Sequence, residues 1–202
     1  MRSLIVFNHP YEGSFCNAIL TEAIKSLHNS KQETDVINLD KDKFNPVMSA
    51  EELKAFVIAR KEPDKAITML EKRVIEYKNM LEKAEHLIFI FPIWWMLMPA
   101  LTKGFIDKVI FPSIAYSYDE QGDMKGILPK LKKVTLITTM AADSGSYEKN
   151  IGNAVWKAFK NGTFETIGVK DCKWINFDCI NAISNEERKK RLLYIKEYFF
   201  NK

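Results

Sequence analysis

The sequence predicts an α/β protein built on a five-stranded parallel sheet with helices on both faces. Five short apolar segments alternate with amphipathic segments along the chain, which is the pattern of successive βαβ units. The third segment, LIFIF at residues 87–91, is apolar at every position, as in a strand buried on both faces. A length of 202 residues is enough for one substantial core, and we expect a single domain over residues 1–202.

Each predicted strand is a short run rich in apolar residues. The strands cover residues 4–8, 34–39, 87–91, 134–139 and 172–177. Pro92 cannot continue the third strand, because proline has no backbone N–H to donate. Trp94, Trp95, Met96 and Met98 should therefore lie beyond the carboxyl end of that strand.

The predicted helices show either an apolar face or a capping residue at the first turn. Ser14 is the expected N-cap of the first helix, a short helix opens at Ser49, and Ser184 caps the last. Pro99 stands in the permissive first turn of the helix that follows the tryptophans. The helices cover residues 15–27, a short segment from 49, 67–83, 99–109, 151–164 and 184–200. A polar loop is predicted from the end of strand four through Tyr147.

Composition and charge exclude several classes of protein. The chain is 47% hydrophobic and 28% charged, and no run approaches the roughly 20 apolar residues of a membrane span, so we expect no membrane insertion. The opening MRSLIVFN enters a strand at once, which predicts no signal peptide and a cytoplasmic location. Cys16, Cys172 and Cys179 form no CxxC pair and predict reduced thiols with no metal site. The net charge of +4 has no basic block interleaved with aromatics, so nucleic-acid binding is not indicated.

Five strands with helices on both faces match a flavodoxin-like three-layer sandwich of strand order 2-1-3-4-5, which binds its ligand at the carboxyl edge of the sheet. Three loops should meet there, at residues 8–14, 92–98 and 139–147. The first leads into a helix N-terminus rich in small polar groups, which suits a phosphate. The chain lacks GxGxxG and GxxxxGK[ST], so it has neither a Rossmann fingerprint nor a P-loop.

Two features of this edge have alternative interpretations. His9 is either a donor to the phosphate or a turn residue bonded to the backbone. The tryptophan pair either forms a wall for a flat aromatic ligand or packs under the next helix or in a subunit interface.

Four motifs in this order resemble those of the flavin-dependent NAD(P)H:quinone oxidoreductases, the DT-diaphorase-like group that includes bacterial general stress and drug-modulator reductases. They are the His9-Pro10 turn with Ser14-Phe15, FPIWWMLMPALTKGFIDKV at 91–109, AYSY at 115–118 followed by Gly122 and Lys125-Gly126, and ITT at 137–139. The resemblance covers nearly the whole chain. It implies a flavin cofactor (FAD or FMN, left open), NADPH or NADH as co-substrate, and a homodimer.

The resemblance also implies roles for individual residues. The flavin would be held by His9, Ser14, Phe15, Asn17, Pro92, Ile93, Trp94, Trp95, Met96, Thr138, Thr139, Met140 and Ala141. Trp95 would also form the floor of the substrate site, and Tyr116 and Tyr118 would close that site near the dimer interface. Tyr147 would be catalytic by balancing charge on the reduced flavin.

The chain departs from the family pattern at three places. Cys16 stands where Asn is usual, Met140 and Ala141 replace two glycines, and Asn153 stands near the position of a histidine in the mammalian enzymes. Charge balance by a histidinium is therefore excluded, because no histidine follows His86 in the sequence.

The implied activity is hydride transfer from NAD(P)H via the flavin to quinones or similar flat acceptors, in a ping-pong two-electron reduction. Such transfer needs two flat rings stacked within about 3.5 Å, so flat aromatic walls suit it and few catalytic side chains are needed. The alternative function is a flavin-binding regulatory subunit of a membrane transport system with little turnover of its own. A flavodoxin-type electron carrier is disfavoured by the charge of +4 and by the bulky WWMLM segment.

Overall fold

In the computed structural model, which describes residues 1–200, a five-stranded parallel sheet is the middle of three layers. The strands are β1 (Arg2–Phe7), β2 (Glu33–Asn38), β3 (His86–Pro92), β4 (Tyr116–Tyr118), β5 (Met124–Gly126), β6 (Lys133–Thr139) and β7 (Asp171–Phe177). The sheet has the order β2-β1-β3-β6-β7, and β4 and β5 form a separate antiparallel hairpin. The predicted order 2-1-3-4-5 is confirmed, because the hairpin lies outside the main sheet. The last two residues of the predicted domain lie outside the described residues.

Serine residues cap three of the helices, as the sequence predicts. The helices are α1 (Phe15–Asn29), α2 (Ala50–Ile58), α3 (Pro63–Thr68), α4 (Lys72–Leu81), α5 (Ala100–Val109), α6 (Ser144–Ile151), α7 (Ala154–Phe159) and α8 (Asn185–Phe200), with a π-helical turn at Lys160–Phe164. The Ser14 hydroxyl accepts the Asn17 N–H at 3.1 Å. Ser49 forms a capping box with Glu52, and the Ser184 hydroxyl accepts the Glu187 N–H at 3.2 Å.

Strand β3 lies at the centre of the core, and all of its residues are buried. Phe89 points to one face of the sheet, where its ring lies 5.7 Å from that of Phe105 on α5 and 5.0 Å from that of Phe159 on α7. Ile88 and Ile90 point to the other face, which α1 and α8 cover. The alternation of side chains along a strand therefore fills both apolar layers from one segment, which confirms burial on both faces.

The long helix predicted over residues 67–83 is wrong, since the chain forms α3 and α4 with a break at residues 69–71. Glu71 leaves the helical conformation, with φ −57° and ψ 143°. Its carboxylate lies 3.1 Å from the ammonium of Lys108 on α5, and the neighbouring Leu70 is buried. A tertiary ion pair thus interrupts a segment whose local periodicity favours one continuous helix.

The polar loop predicted through Tyr147 is wrong, whereas the helix predicted over 151–164 is confirmed from residue 154 onward, as α7 and the π-helical turn. Tyr147 lies inside α6, and Gly152 and Asn153 separate α6 from α7 with left-handed φ values of 66° and 56°. The β4–β5 hairpin was not predicted, and in it the rings of Tyr116 and Tyr118 lie on one face with centroids 5.6 Å apart.

The placement of Pro92 beyond the third strand is corrected by the structure, in which Pro92 is the last residue of β3 and pairs with Thr139 of β6. The Ile90 carbonyl accepts from Asn8, so the nitrogen of Pro92, two residues on, faces the side of β1. Strand β1 has already ended there, at Phe7. A residue without an N–H is therefore tolerated at this position.

Lys108 connects α5 to the irregular chain between β2 and α4. Its side chain is fully buried, and its ammonium lies 3.0 Å from Glu52, 3.1 Å from Glu71 and 3.1 Å from the Asn45 carbonyl. Glu52 is itself buried, and its second carboxylate oxygen accepts the Ser49 N–H at 2.8 Å. The two ion pairs of Lys108 thus attach the N-terminus of α2 and the break before α4 to α5.

Replacement of this lysine tests how much the buried ion pair contributes to stability. Lys108→Met leaves the buried Glu52 carboxylate without its cation, so we expect the free energy of unfolding to fall by about 3–5 kcal/mol in urea titration. Lys54→Met is the matched control, since the exposed Lys54–Glu51 pair contributes less than about 1 kcal/mol. A loss at Lys108 as small as that of the control contradicts the prediction.

Candidate active site

A cleft with a volume of about 430 Å³ opens at the carboxyl edge of the sheet. The loops after β1, β3 and β6 meet there, as predicted, and the volume is typical of small-molecule sites. The lining residues are His9, Tyr11, Ser14, Phe15, Cys16, Pro92, Ile93, Trp94, Thr139, Met140, Ala141, Ile180, Asn181 and Arg188.

The N-terminus of α1 forms one end of the cleft and is suited to an anion. The first N–H groups of a helix have no partner within it, and the Ser14 hydroxyl takes that of Asn17. The amides of Phe15 and Cys16 therefore remain for a ligand, at the positive end of the helix dipole.

His9 lies at the same end of the cleft, and its Nδ1 accepts the Tyr11 N–H at 3.1 Å. The histidine is thus a turn residue bonded to the backbone, and its neutral ring carries the proton on Nε2. Partial burial lowers the pKa of His9, against the opposing effect of Asp40. The ring is therefore neutral at pH 7 and keeps one N–H available to a ligand.

The segment after β7 also reaches the cleft, which sequence reasoning missed. The Arg188 guanidinium lies 5.6 Å from the centroid of the Phe15 ring and donates to the Ile180 carbonyl. It adds a positive charge close to the α1 end. One signal was present: β7 is parallel to the other strands, so the chain after Phe177 had to emerge at the same edge.

Cys16 fastens α1 to the end of β6. Its sulfur lies 3.2 Å from the Thr139 hydroxyl, and the side chain is almost fully buried. Burial raises the pKa of the Cys16 thiol to about 12, only partly offset by the hydrogen bond with Thr139. The residue that stands where Asn is expected is therefore a neutral, packed thiol in the cleft wall.

The segment Trp94–Leu97, which we call the tryptophan turn, is a two-residue hairpin turn. Trp94 and Leu97 exchange two backbone hydrogen bonds of 3.0 Å, and the central residues Trp95 and Met96 have φ values of 48° and 64°. Positive φ at both central positions is the mark of a type I′ turn, which favours Asn and Gly. Bulky residues there cost on the order of 1–3 kcal/mol each.

The turn separates the two tryptophans. Trp94 lines the cleft, with its ring 5.9 Å from that of His9. Trp95 is 97% exposed and points its ring away from the packed interior. Trp94 is therefore part of the cleft wall, while Trp95 is free to contact a molecule at the cleft mouth.

Several residues that the resemblance assigns to the site lie outside the cleft lining. Asn17 borders a neighbouring hollow with Asp40 and donates to the Glu12 carbonyl at 2.6 Å. Thr138 is buried, accepts from the Trp174 indole at 2.8 Å and donates to the Asn176 side chain.

Tyr147, Tyr116 and Tyr118 are likewise not among the residues that line the cleft. The hydroxyl of Tyr147, a residue only 1% exposed, donates to the Met96 carbonyl at 2.9 Å. Tyr118 borders a hollow beside Arg60, and Tyr116 borders another beside Phe56. The structure of one chain thus does not bring these two tyrosines to the cleft.

Residues 1–200 contain neither a membrane-spanning helix nor a cluster of metal-ligating side chains. No helix in this range is long and apolar enough to cross a membrane. No group of three His, Cys, Asp or Glu residues in the same range could hold a metal ion.

The sequence matches a family model described as flavodoxin-like fold over residues 1–199. It is 25% identical over 191 residues to an uncharacterized NAD(P)H oxidoreductase of Haemophilus influenzae, covering 94% of this chain and 89% of that protein. It is 29% identical over 181 residues to NAD(P)H dehydrogenase (quinone) 1 of Cavia porcellus, covering 83% of this chain and 64% of that protein. The chain thus spans less than two thirds of the latter relative.

Solved structures resemble the whole chain. Smu.1420 of Streptococcus mutans superposes with a TM-score of 0.84 at 29% identity, with full coverage of both chains. An FMN-dependent NADH-azoreductase of Bacillus anthracis, solved in complex with FMN, superposes with a TM-score of 0.78 at 16% identity, covering 98% of this chain and 97% of that chain. At that identity the likeness shows the fold alone.

The buried thiol in the cleft wall gives a direct chemical prediction. At pH 8, a pKa of about 12 leaves about one part in ten thousand of Cys16 as thiolate, so iodoacetamide should label it at least a hundredfold more slowly in the native protein than in urea. Peptide mass spectrometry checks this, and the less buried Cys179 reports that the reagent is active. Equal labelling of Cys16 in both states contradicts the burial.

Proposed function

This chain belongs to the flavodoxin-like fold family, and from that membership and the cleft at its sheet edge we propose that it is a flavin-dependent NAD(P)H oxidoreductase. In this proposal it reduces quinones or similar flat acceptors by two electrons. One observation carries it: the cleft joins an anion-binding helix terminus to a wall of flat side chains. The names of the relatives, which include NAD(P)H and quinone, support the same proposal.

The residues at the α1 end fit the phosphate of a flavin nucleotide. The amides of Phe15 and Cys16, the Nε2–H of His9 and the guanidinium of Arg188 are donors of the kind that bind phosphate. Two loop segments, 92–94 and 139–141, form walls along which a ring system would lie. When bound, the flavin supplies the capacity to accept a hydride from NAD(P)H and to pass two electrons onward.

The protein's own contribution is to bind and orient flat rings. Trp94 and Ile93 shape one wall, and the exposed Trp95 ring floors the site that NAD(P)H and the acceptor would occupy in turn, as a ping-pong reaction requires. Asn17 and Thr138 support the walls from outside through their hydrogen bonds.

A homodimer of single-domain chains accounts for the tyrosines that lie away from the cleft. Tyr116 and Tyr118 do not line the cleft of their own chain, and Trp95 is almost fully exposed. A second chain would place its tyrosines over the first chain's Trp95. Nothing in the described residues favours the alternative role as a regulatory subunit, and we do not propose it.

The proposal is tested by loading the purified chain with FMN or FAD and assaying NADH and NADPH oxidation with menadione. We expect one flavin per chain, steady turnover, and parallel double-reciprocal lines when both substrates are varied. FMN should bind at least about tenfold more tightly than riboflavin, because riboflavin lacks the phosphate. Flavin binding without NAD(P)H oxidation refutes the enzyme proposal, and a monomer of full activity by light scattering refutes the dimer.

Removal of the exposed indole separates a substrate role from a packing role. Trp95→Ala should lower acceptor turnover by about tenfold and leave the unfolding midpoint within about 2 °C, because a side chain that is 97% exposed contributes little to the core. Val57→Ala on α2 is the control, since that side chain is 77% exposed, and it should alter neither quantity. Parallel losses of turnover and stability at Trp95 would instead indicate packing.

A further inference from the structure

We propose that Tyr147 is a positioning residue whose hydroxyl holds the tryptophan turn in its left-handed conformation by tying it to α7. The hydroxyl donates to the Met96 carbonyl at 2.9 Å and accepts the Val155 N–H at 3.0 Å. The functional part of this inference rests on the proposed oxidoreductase activity, because the turn borders the cleft. The structural part does not.

The tryptophan turn needs support from outside itself. Its two central residues occupy a conformation that disfavours large side chains, and its own hydrogen bonds are only the pair between Trp94 and Leu97. Packing contributes little, since all four residues of the turn are exposed. The hydrogen bond from Tyr147 to Met96 is therefore a constraint that fixes a carbonyl at the strained position itself.

Tyr147 is well placed to act as a fixed point. Its ring is buried in the core and lies 6.4 Å from the ring of Trp174. Asn153, at the N-cap of α7, makes no side-chain cap bond, so the Tyr147 oxygen takes over and accepts the N–H of Val155 in the first turn of that helix. Because the oxygen accepts one hydrogen bond while donating another, each bond strengthens the other.

The same contacts separate positioning from the charge-balancing role that the resemblance implies. A phenol has one proton, and that of Tyr147 is engaged with the Met96 carbonyl. Donation into the cleft would break this bond and release the turn. Through the turn, the tyrosine instead determines where the exposed Trp95 ring meets NAD(P)H and the acceptor.

Limited proteolysis of the purified full chain, with and without added flavin, measures the constraint directly. Trp95 is exposed and is a cleavage site for chymotrypsin, and cleavage under native conditions follows the population of the opened turn. Tyr147→Phe should speed cleavage within the tryptophan turn about tenfold, as the loss of one hydrogen bond allows. Adding Met96→Gly should return the rate to within about threefold of the wild type, because glycine adopts positive φ without strain.

Tyr77→Phe is the matched control, since Tyr77 is also buried and donates to one carboxylate, Asp42, at 2.8 Å. It should leave cleavage in the turn unchanged. Unchanged cleavage in Tyr147→Phe, or the same increase in the control, overturns the positioning role.

Kinetics give a second readout that a merely structural residue would not move. If the turn determines the position of the Trp95 ring, Tyr147→Phe should raise the acceptor KM at least fivefold with a smaller change in kcat. Adding Met96→Gly to that variant should lower the KM again. A loss in kcat alone, with an altered pH profile and unchanged KM, overturns positioning in favour of charge balance. If the wild-type chain neither binds flavin nor turns over, the proposed function fails, and the proteolysis still decides the role of Tyr147.

Discussion

The unequal ends of the two ladders on β3 determine where the cleft forms. Pairing with β1 stops at Phe7 and Ile90, whereas pairing with β6 continues to Pro92 and Thr139. The Ile93 N–H then donates to the Thr139 carbonyl at 2.7 Å, so the chain leaving β3 stays with the loop after β6. Pro92, the last residue of β3, offers no N–H toward β1. The loop after β1 therefore separates at this point from the loop after β3. The opening between them is the switch point at which such sheets bind ligands.

Buried polar contacts hold both walls of this opening. Asn8 donates to the Asp40 carboxylate at 2.8 Å and accepts from the Thr102 hydroxyl at 2.9 Å, which ties the end of β1 to α5 and to the chain after β2. On the other wall, Cys16 and Thr139 join α1 to β6. Satisfied buried groups of this kind specify one arrangement, because each would be costly without its partner. The walls are thus set by the fold before any ligand binds.

The parts of the fold that depend on short stretches of sequence could be predicted. The parts that depend on contacts between distant residues could not. The burial of β3, the caps at Ser14 and Ser49 and the order of the sheet follow from apolar runs and capping residues. The break before α4 depends on Lys108, which lies 37 residues from Glu71 in the sequence. No local pattern predicts this contact. The parallel β7 implies that the next segment starts at this edge, but the approach of Arg188 to Phe15 of α1 depends on a distant contact between helices.

The tryptophan turn shows how a strained element can serve a site with few catalytic groups. Hydride transfer between stacked rings depends on placement, so a site of this kind gains more from a fixed aromatic surface than from an acid or base. A glycine at a central position of the turn would adopt positive φ without strain, so the turn would depend less on an outside anchor. Large residues at Trp95 and Met96 need an anchor, and the buried Tyr147 provides one from the end of a helix. The anchor thus offsets the strain and keeps the exposed indole in one place at the mouth of the cleft, where the orientation of flat molecules has to be controlled.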